Sequence, residues 1–216
     1  KINYPLINFK MFKIKTFTFG NIAVMTSYMC MFTNGILLPL FLQEIVKYNA
    51  FLTGLLILPY SIASSAVAPF AGSYAGKNGS RGLTIAGPCI YILALVIFTT
   101  FNPSTPMWEI VLASVIMGIG NGCFQSPSNN AIITCVNKDE LGIASGILSL
   151  SRNLGNILGV AVTITLFDSF RNLLIEEGTK YQTAFLTSYH WTMCFGIAFG
   201  LTCLICSAIA YTPEKS

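Results

Sequence analysis

Gly72-Ser73-Tyr74-Ala75-Gly76-Lys77-Asn78-Gly79-Ser80-Arg81-Gly82 separates two long stretches without a charged residue, 48–76 and 82–108. A short basic, glycine-rich turn between apolar stretches of that length marks a membrane face, with a helix entering on one side and leaving on the other. The same fencing of charges continues outward. Charge-free intervals lie at 16–43, 110–137 and 181–213, and 141–167 is broken only by Arg152. Each holds the roughly 20 residues that a membrane helix needs. The pattern predicts six helices, near 18–42, 50–72, 83–101, 108–134, 142–167 and 190–211. Composition agrees, with charged residues at 9% against a usual value of roughly 25%, hydrophobic residues at 54% and a mean hydropathy of +0.68. A β-barrel would show short alternating segments, which are absent. The expected fold is an all-α membrane protein.

Lys and Arg set the expected orientation. With the N-terminal side cytoplasmic, the inner connections hold Lys1, Lys10, Lys13, Lys15, Lys77, Arg81, Lys138 and Lys215, and the outer ones only Lys47, Arg171 and Lys180. Trp108, Trp191 and Tyr189 then fall at outer helix ends and Tyr211 at an inner end. The expected location is the cell (cytoplasmic) membrane, multi-pass, with both ends of this segment cytoplasmic. Residues 1–17, with Phe9-Lys10-Met11-Phe12-Lys13-Ile14-Lys15, read as an amphipathic cytoplasmic lead-in; 18–212 form one six-helix unit and 213–216 a tail. The lead-in lacks the features of a signal peptide, and the chain reads as a segment of a longer protein.

The seven cysteines all lie in apolar spans, so no disulfide framework is expected, and Cys203-x-x-Cys206 has neither a partner pair nor a nearby His for a metal site. An intramembrane serine protease would need Gly-x-Ser-x-Gly and a His at matched depth. Gly142-Ile143-Ala144-Ser145-Gly146 has the wrong spacing, and His190 is expected at the outer end of the last helix. No enzyme activity, cofactor, metal or nucleic-acid partner is expected.

Polar and small residues sort the helices. Gly54, Ser61, Ser65, Ala68 and Gly72 recur at heptad-like spacing in the second helix, and Ser145, Ser149, Arg152, Asn156, Gly159 and Thr163 in the fifth. Such seams let backbones approach closely in lipid. The first helix instead carries Asn21, Ser27, Met31, Asn34 and Leu38 near one face. The fourth carries Gly118, Asn121, Gln125 and Ser128, with Asn129 and Asn130 close by. Amides at membrane depth need a partner or water, so these are candidate cavity faces, with interhelical hydrogen bonding as the alternative. The third helix and much of the sixth are bulky and aliphatic, as lipid-facing helices should be. Six helices therefore form two triplets, each cavity-type, seam-type and lipid-type, inserted in opposite senses: an inverted 3+3 repeat. Arg152 is the ionisable residue deep in a span, roughly 16 Å along its helix from Leu141, and is a functional candidate by default.

Several segments carry a family resemblance: 5–17 with Leu38-Pro39-Leu40-Phe41-Leu42-Gln43; Thr53-Gly54 through Pro59 and Pro69-Phe70-Ala71-Gly72; Gly118-Ile119-Gly120-Asn121-Gly122 with Pro127; and Gly142 to Gly146 with Arg152-Asn153-Leu154-Gly155-Asn156 through Ala161. In this order they resemble the C-terminal six-helix half of a major facilitator superfamily transporter, most closely the drug:proton antiporter branch with fourteen membrane helices. The turn is similar to the second copy of the family's G-x-x-x-D-R-x-G-R-K signature. Gly72, Lys77, Gly79 and Arg81 fit it, while Gly76 stands in place of the Asp and Ser80 in place of an Arg. Without that carboxylate the copy is expected to act as a structural hinge with two cations, open to contact with anionic lipid.

The resemblance implies alternating access, with a second, N-terminal lobe as partner and a small amphipathic molecule as substrate. It places Asn21, Ser27, Met31, Asn34, Asn121, Gln125 and Ser128 on the substrate cavity, and Ser61, Ser65, Ser149, Arg152, Asn156 and Gly159 at the interface between lobes. It also implies a proton gradient as energy source. No Asp or Glu lies within an apolar span, so the coupling carboxylates are expected in the other lobe. Proton-driven drug efflux is the expected function; the alternatives are an importer or uniporter of a small solute, a non-transporting fragment, or a half-unit that dimerises.

Overall fold

A computed structural model describes residues 9–211. Its helices are α1 (Lys15–Leu40), α2 (Ala50–Asn78), α3 (Arg81–Phe98), α4 (Met107–Thr134), α5 (Leu141–Glu176) and α6 (Tyr181–Ala210), with 3-10 turns at Phe9–Lys13 and Lys138–Glu140. All six are long and apolar enough to cross a bilayer, as the charge pattern predicts. One face of the bundle holds the Gly79 turn, the opposite face the Asn49 turn. The parts of the lead-in and tail at 1–8 and 212–216 lie outside the described residues.

Helix ends differ from the expected ones. The glycine-rich stretch is mostly helix: α2 continues through Gly72, Gly76 and Lys77, and only Gly79 and Ser80 separate it from α3. Gly79 stops α2 because it adopts φ +87°, which a residue with a Cβ tolerates poorly. At the other face α5 runs nine residues past Phe167 and α6 starts nine residues before His190. Asp168 marks the limit of the apolar span but not of the helix, since its 2.7 Å ion pair with Arg171 at i,i+3 suits helical geometry. His190 therefore lies within α6, where its Nε2 donates to the Phe101 carbonyl (2.9 Å). Helix α1 loosens at its far end into a π-helical turn, Phe41–Ile45, just after Pro39, which cannot donate to the helix ladder.

Packing follows the inverted repeat. α4 lies against α2 and α3, α1 lies against α5 and α6, and α3 meets α6; exchanging the two triplets maps the first two pairs of contacts onto one another and the α3–α6 contact onto itself, while α5 meets α6 more closely than α2 meets α3. Small residues permit these crossings. A Cβ on Gly118 would collide with the Tyr60 carbonyl of α2, and one on Gly120 would come within 2.8 Å of the Tyr91 nitrogen of α3. On the related side, a Cβ on Gly155 would collide with the Met25 carbonyl of α1, and Gly200 takes the Ile92 side chain. α1 and α4 are the most buried spans, α2 and α5 the most exposed. α3 and α6 are half-buried rather than wholly lipid-facing: Gly87, Tyr91, Ala94 and Phe98 of α3 point inward, and Tyr91 donates to the Cys203 sulfur of α6 (2.9 Å).

Buried hydroxyls join α1 to α5, where Thr33 and Thr163 share a hydrogen bond of 3.0 Å. Thr163→Val keeps the shape and removes the bond, and is expected to cost about 0.6 kcal/mol, the mean for such bonds in membranes. A small drop in the melting temperature of the detergent-solubilised protein, with unchanged oligomeric state, is the measurement that checks it.

Candidate substrate-binding site

Three helices meet around Met31. The Tyr60 hydroxyl of α2 donates to its sulfur (3.8 Å), as does the Gln125 amide of α4 (4.0 Å). A thioether is a weak, polarisable acceptor, so these contacts hold the side chains without fixing them rigidly. One turn along α4, the Asn121 amide donates to the Ser64 hydroxyl of α2 (2.8 Å). With their nitrogens so engaged, Asn121 Oδ1 and Gln125 Oε1 are buried without a partner, and Asn129 Oδ1 is a third such oxygen. The i, i+4, i+8 spacing aligns them along one face of α4, from about 20 Å to about 8 Å from its Thr134 end. Each buried, unmatched amide oxygen costs about 1–3 kcal/mol, which makes the stripe an expensive way merely to hold helices together.

Toward the Asn49 face, α1, α2 and α4 enclose a cavity of about 390 Å³ lined by Met31, Asn34, Leu38, Tyr60, Ser61 and Ser114 among others. Its wall is mostly apolar with a few polar groups, the usual character of small-molecule sites. A second cavity, about 650 Å³, opens beside the Gly79 turn and is lined by Phe70, Tyr74, Lys77 and Leu83. A third, about 390 Å³, sits between α1, α5 and α6 with Glu44, Asp168 and Arg171 at its rim. Among the described residues no three His, Cys, Asp or Glu side chains gather as a metal site requires.

The residues singled out from sequence separate into those on open faces and those turned inward. Met31 and Asn34 line the cavity with Ser61, and Gln125 reaches Met31 from α4, whereas Asn121 bonds Ser64 of α2 and lines none of these three cavities. Ser27 does not join them: it is fully buried, and its hydroxyl donates to the Val24 carbonyl of its own helix (2.9 Å). Ser128 is also inside the lobe, bonded to the Tyr211 hydroxyl (3.0 Å). Tyr211 is thus tucked against α4; burial pushes its phenol up to about 12, with the Ser128 hydrogen bond acting the other way. Asn21 bridges two helices, donating to the Phe17 carbonyl (2.8 Å) and accepting from the Ser151 hydroxyl of α5 (3.0 Å).

On α5, Ser149 is exposed, as is Ser65 on α2. Arg152 is half-buried with its Nε unpartnered, and Asn156 Oδ1 is likewise unpartnered. Gly159 differs from the interface role expected of it, because it packs on α1 within this lobe, where a Cβ would come within 2.8 Å of the Met29 Cα. In the turn, Gly72 fits close to the Ser126 hydroxyl of α4, and Lys77 and Arg81 are exposed. Tyr60 and Ser114 escape the sequence reading. Both lie four or fewer residues from a singled-out seam or polar position, and only the packing of α2 on α4 brings them to the cavity.

The Major Facilitator Superfamily profile matches residues 20–216. The chain is 28% identical to the riboflavin transporter RibZ of Clostridioides difficile, over 85% of this chain and 39% of that protein. It is 27% identical to the lincomycin resistance protein LmrB of Listeria monocytogenes, over 94% and 44%, and 27% identical to the multidrug export protein EmrB of Escherichia coli, over 84% and 36%. It spans less than half the length of these relatives. The solved structure of a bacterial homologue of the human drug peptide transporters PepT1 and PepT2 superposes with a TM-score of 0.70 at 16% identity, covering 94% of this chain and 44% of that one. Six apolar helices in an inverted repeat and a profile match along nearly the whole chain agree: this multi-pass membrane protein belongs to the major facilitator superfamily of transporters.

Proposed function

We propose that the chain is the C-terminal lobe of a proton-driven exporter of amphipathic small molecules, working by alternating access against a second six-helix lobe. The observation that carries this reading is the stripe of unpartnered amide oxygens on α4, set beside the adaptable Met31–Tyr60–Gln125 cluster and a mostly apolar cavity. Few directional contacts and a soft thioether suit a cavity that accepts varied ligands. α2 and α5 then present Ser61, Ser65, Ser149 and Asn156 to the partner lobe, and Arg152 meets a carboxylate or backbone carbonyls there. The apolar spans carry no Asp or Glu, so the groups that take up and release the proton belong to the second lobe. LmrB and EmrB, named for lincomycin resistance and multidrug export, support export as the direction.

RibZ, named as a riboflavin transporter, favours a second reading, uptake of a small solute. Cells expressing the full-length transporter are expected to accumulate less of a fluorescent amphipathic dye than cells without it, and a protonophore should erase the difference. Dye levels raised by the transporter would favour uptake, and a deficit that survives the protonophore would remove proton drive.

A further inference from the structure

α2 and α3 follow one another through a single turn, yet they scarcely touch; both lean on α4 instead. Between them lies the cavity of about 650 Å³ beside the Gly79 turn, with Val67, Phe70 and Tyr74 of α2 and Leu83 of α3 as walls, Cys123 of α4 among its lining and Lys77 at its turn end. Phe70 and Tyr74 stand open there, at 76% and 55% exposure. Among the described residues no Asp or Glu lines this groove, and Arg81, next to the lining Gly82, adds a second exposed cation. We propose that the groove holds an anionic phospholipid from the leaflet at the Gly79 face, its phosphodiester against Lys77 and Arg81 and one acyl chain lying between α2 and α3. The assignment is independent of the direction of transport.

Length, side and charge each point to this occupant. From Lys77 to Val67 is about 15 Å along α2, which equals the depth of one leaflet in a hydrocarbon core of about 30 Å. A headgroup beside Lys77 thus sets its chain along the whole groove. The rival occupant, the second lobe, is assigned the seam of Ser61 and Ser65. Phe70 is nine residues from Ser61 and Tyr74 nine from Ser65, two and a half turns in each case, so groove and seam lie on opposite sides of α2. Cations also crowd the end of the lobe where the groove lies. Among the described residues Lys10, Lys13, Lys15, Lys77, Arg81 and Lys138 stand there with only Asp139 and Glu140 of opposite sign, whereas acids outnumber bases at the Asn49 face. Each cation near the surface draws anionic lipid roughly fivefold. The ammonium of an ethanolamine headgroup would find no carboxylate in the groove, so a lipid of net negative charge is preferred. Ser73, Tyr74 and Asn78 line the same end and add neutral donors for phosphate or glycerol oxygens.

The test uses the full-length transporter in phosphatidylcholine vesicles that hold a minor fraction of phosphatidylglycerol. Phe70→Trp places a fluorophore in the groove, and the emission of the unsubstituted protein is subtracted. Brominated acyl chains quench that tryptophan on contact, and the bromine is carried by phosphatidylglycerol in one set of vesicles and by phosphatidylcholine in the other. Brominated phosphatidylglycerol is expected to quench as though enriched at least about fivefold over its bulk fraction. Lys77→Gln/Arg81→Gln should return it to within about 1.5-fold of bulk. Lys138→Gln removes a cation of the same face that does not line the groove, and should leave the enrichment in place. Should Phe70→Trp fail to fold, Tyr74→Trp reads the same groove one turn nearer the headgroup. Equal quenching by the two brominated lipids, an enrichment that survives loss of both cations, or one lost as fully in Lys138→Gln would overturn the assignment. So would a tryptophan shielded from both lipids, since protein would then cover the groove. Full reversal of the enrichment by soluble glycerol phosphate would overturn it too, and give the two cations to a free phosphate.

Discussion

Replacing Gly155 by leucine is expected to leave almost no folded transporter in the membrane. Gly155 is where α5 crosses α1, and a single carbon added there already collides with the Met25 carbonyl oxygen and lies 2.9 Å from the Tyr28 Cβ. The first is backbone and cannot swing aside, so the helices must separate. Separation would also stretch the neighbouring contacts, Gly159 on Met29 and the Thr33–Thr163 hydrogen bond. Even alanine overpacks the crossing, at a cost of about 2 kcal/mol, which lowers the melting temperature by roughly 4–8 °C for a protein of this size. Gly146, on the same helix, is the matched control, because nothing lies within 4 Å of a Cβ placed there. Fluorescence-detected size exclusion of the detergent-solubilised variants after a temperature ramp gives the comparison. Equal losses at 146 and 155 would show that α5 tolerates no side chain generally and that the crossing is not the cause.

Arg152→Gln is expected to abolish export while leaving insertion and folding intact. The guanidinium sits roughly 16 Å along α5 from Leu141, in a stretch otherwise free of charge from 141 to 167, with its Nε unpartnered. Charges at such depth persist where they serve a counter-charge or a pathway, and the proposed second lobe supplies that counterpart. Glutamine keeps much of the length and a donor but removes the charge. Arg152→Lys keeps the charge and loses the planar fork, so it should retain part of the activity. Dye accumulation is measured alongside surface-labelled protein at matched expression. Full export by Arg152→Gln would show that the guanidinium merely reaches back toward the membrane surface.

The count and apolar character of the helices were legible because lipid forbids charge, so charged residues bracket the spans; which helices pair was not, and comes only from the packing. Helix ends were less so, since a charge marks where lipid stops rather than where hydrogen bonding stops; α5 runs on through Asp168 and Arg171, which pair along the helix. The two-triplet repeat was readable from where amides and small residues concentrate. Which side of a helix faces open space was harder. Ser27 looks polar in sequence, yet a hydroxyl can satisfy itself on its own backbone, as Ser27 does on Val24, and then sit in the core. A carboxamide has two ends, and turning one to a neighbour leaves the other exposed to the shortage, as at Asn121 and Gln125. Gly159 carried no directional signal at all, since a residue without a side chain reads alike on either face.

The interleaving of the triplets bears on how the chain is made. Within this lobe α1 leaves the ribosome before the other five helices, but the helices it packs against are α5 and α6, the last of the six to emerge; α4 by contrast finds α2 and α3 already waiting. A nascent chain halted after α3 holds three helices of this lobe that meet one another little, and the Cys30 and Thr33 side of α1 still lacks the α5 and α6 surfaces that cover it in the folded lobe. The first helix of this lobe to be made is the last of the six to be locked in place, and the membrane, or a chaperone within it, must shelter that helix until α6 has emerged.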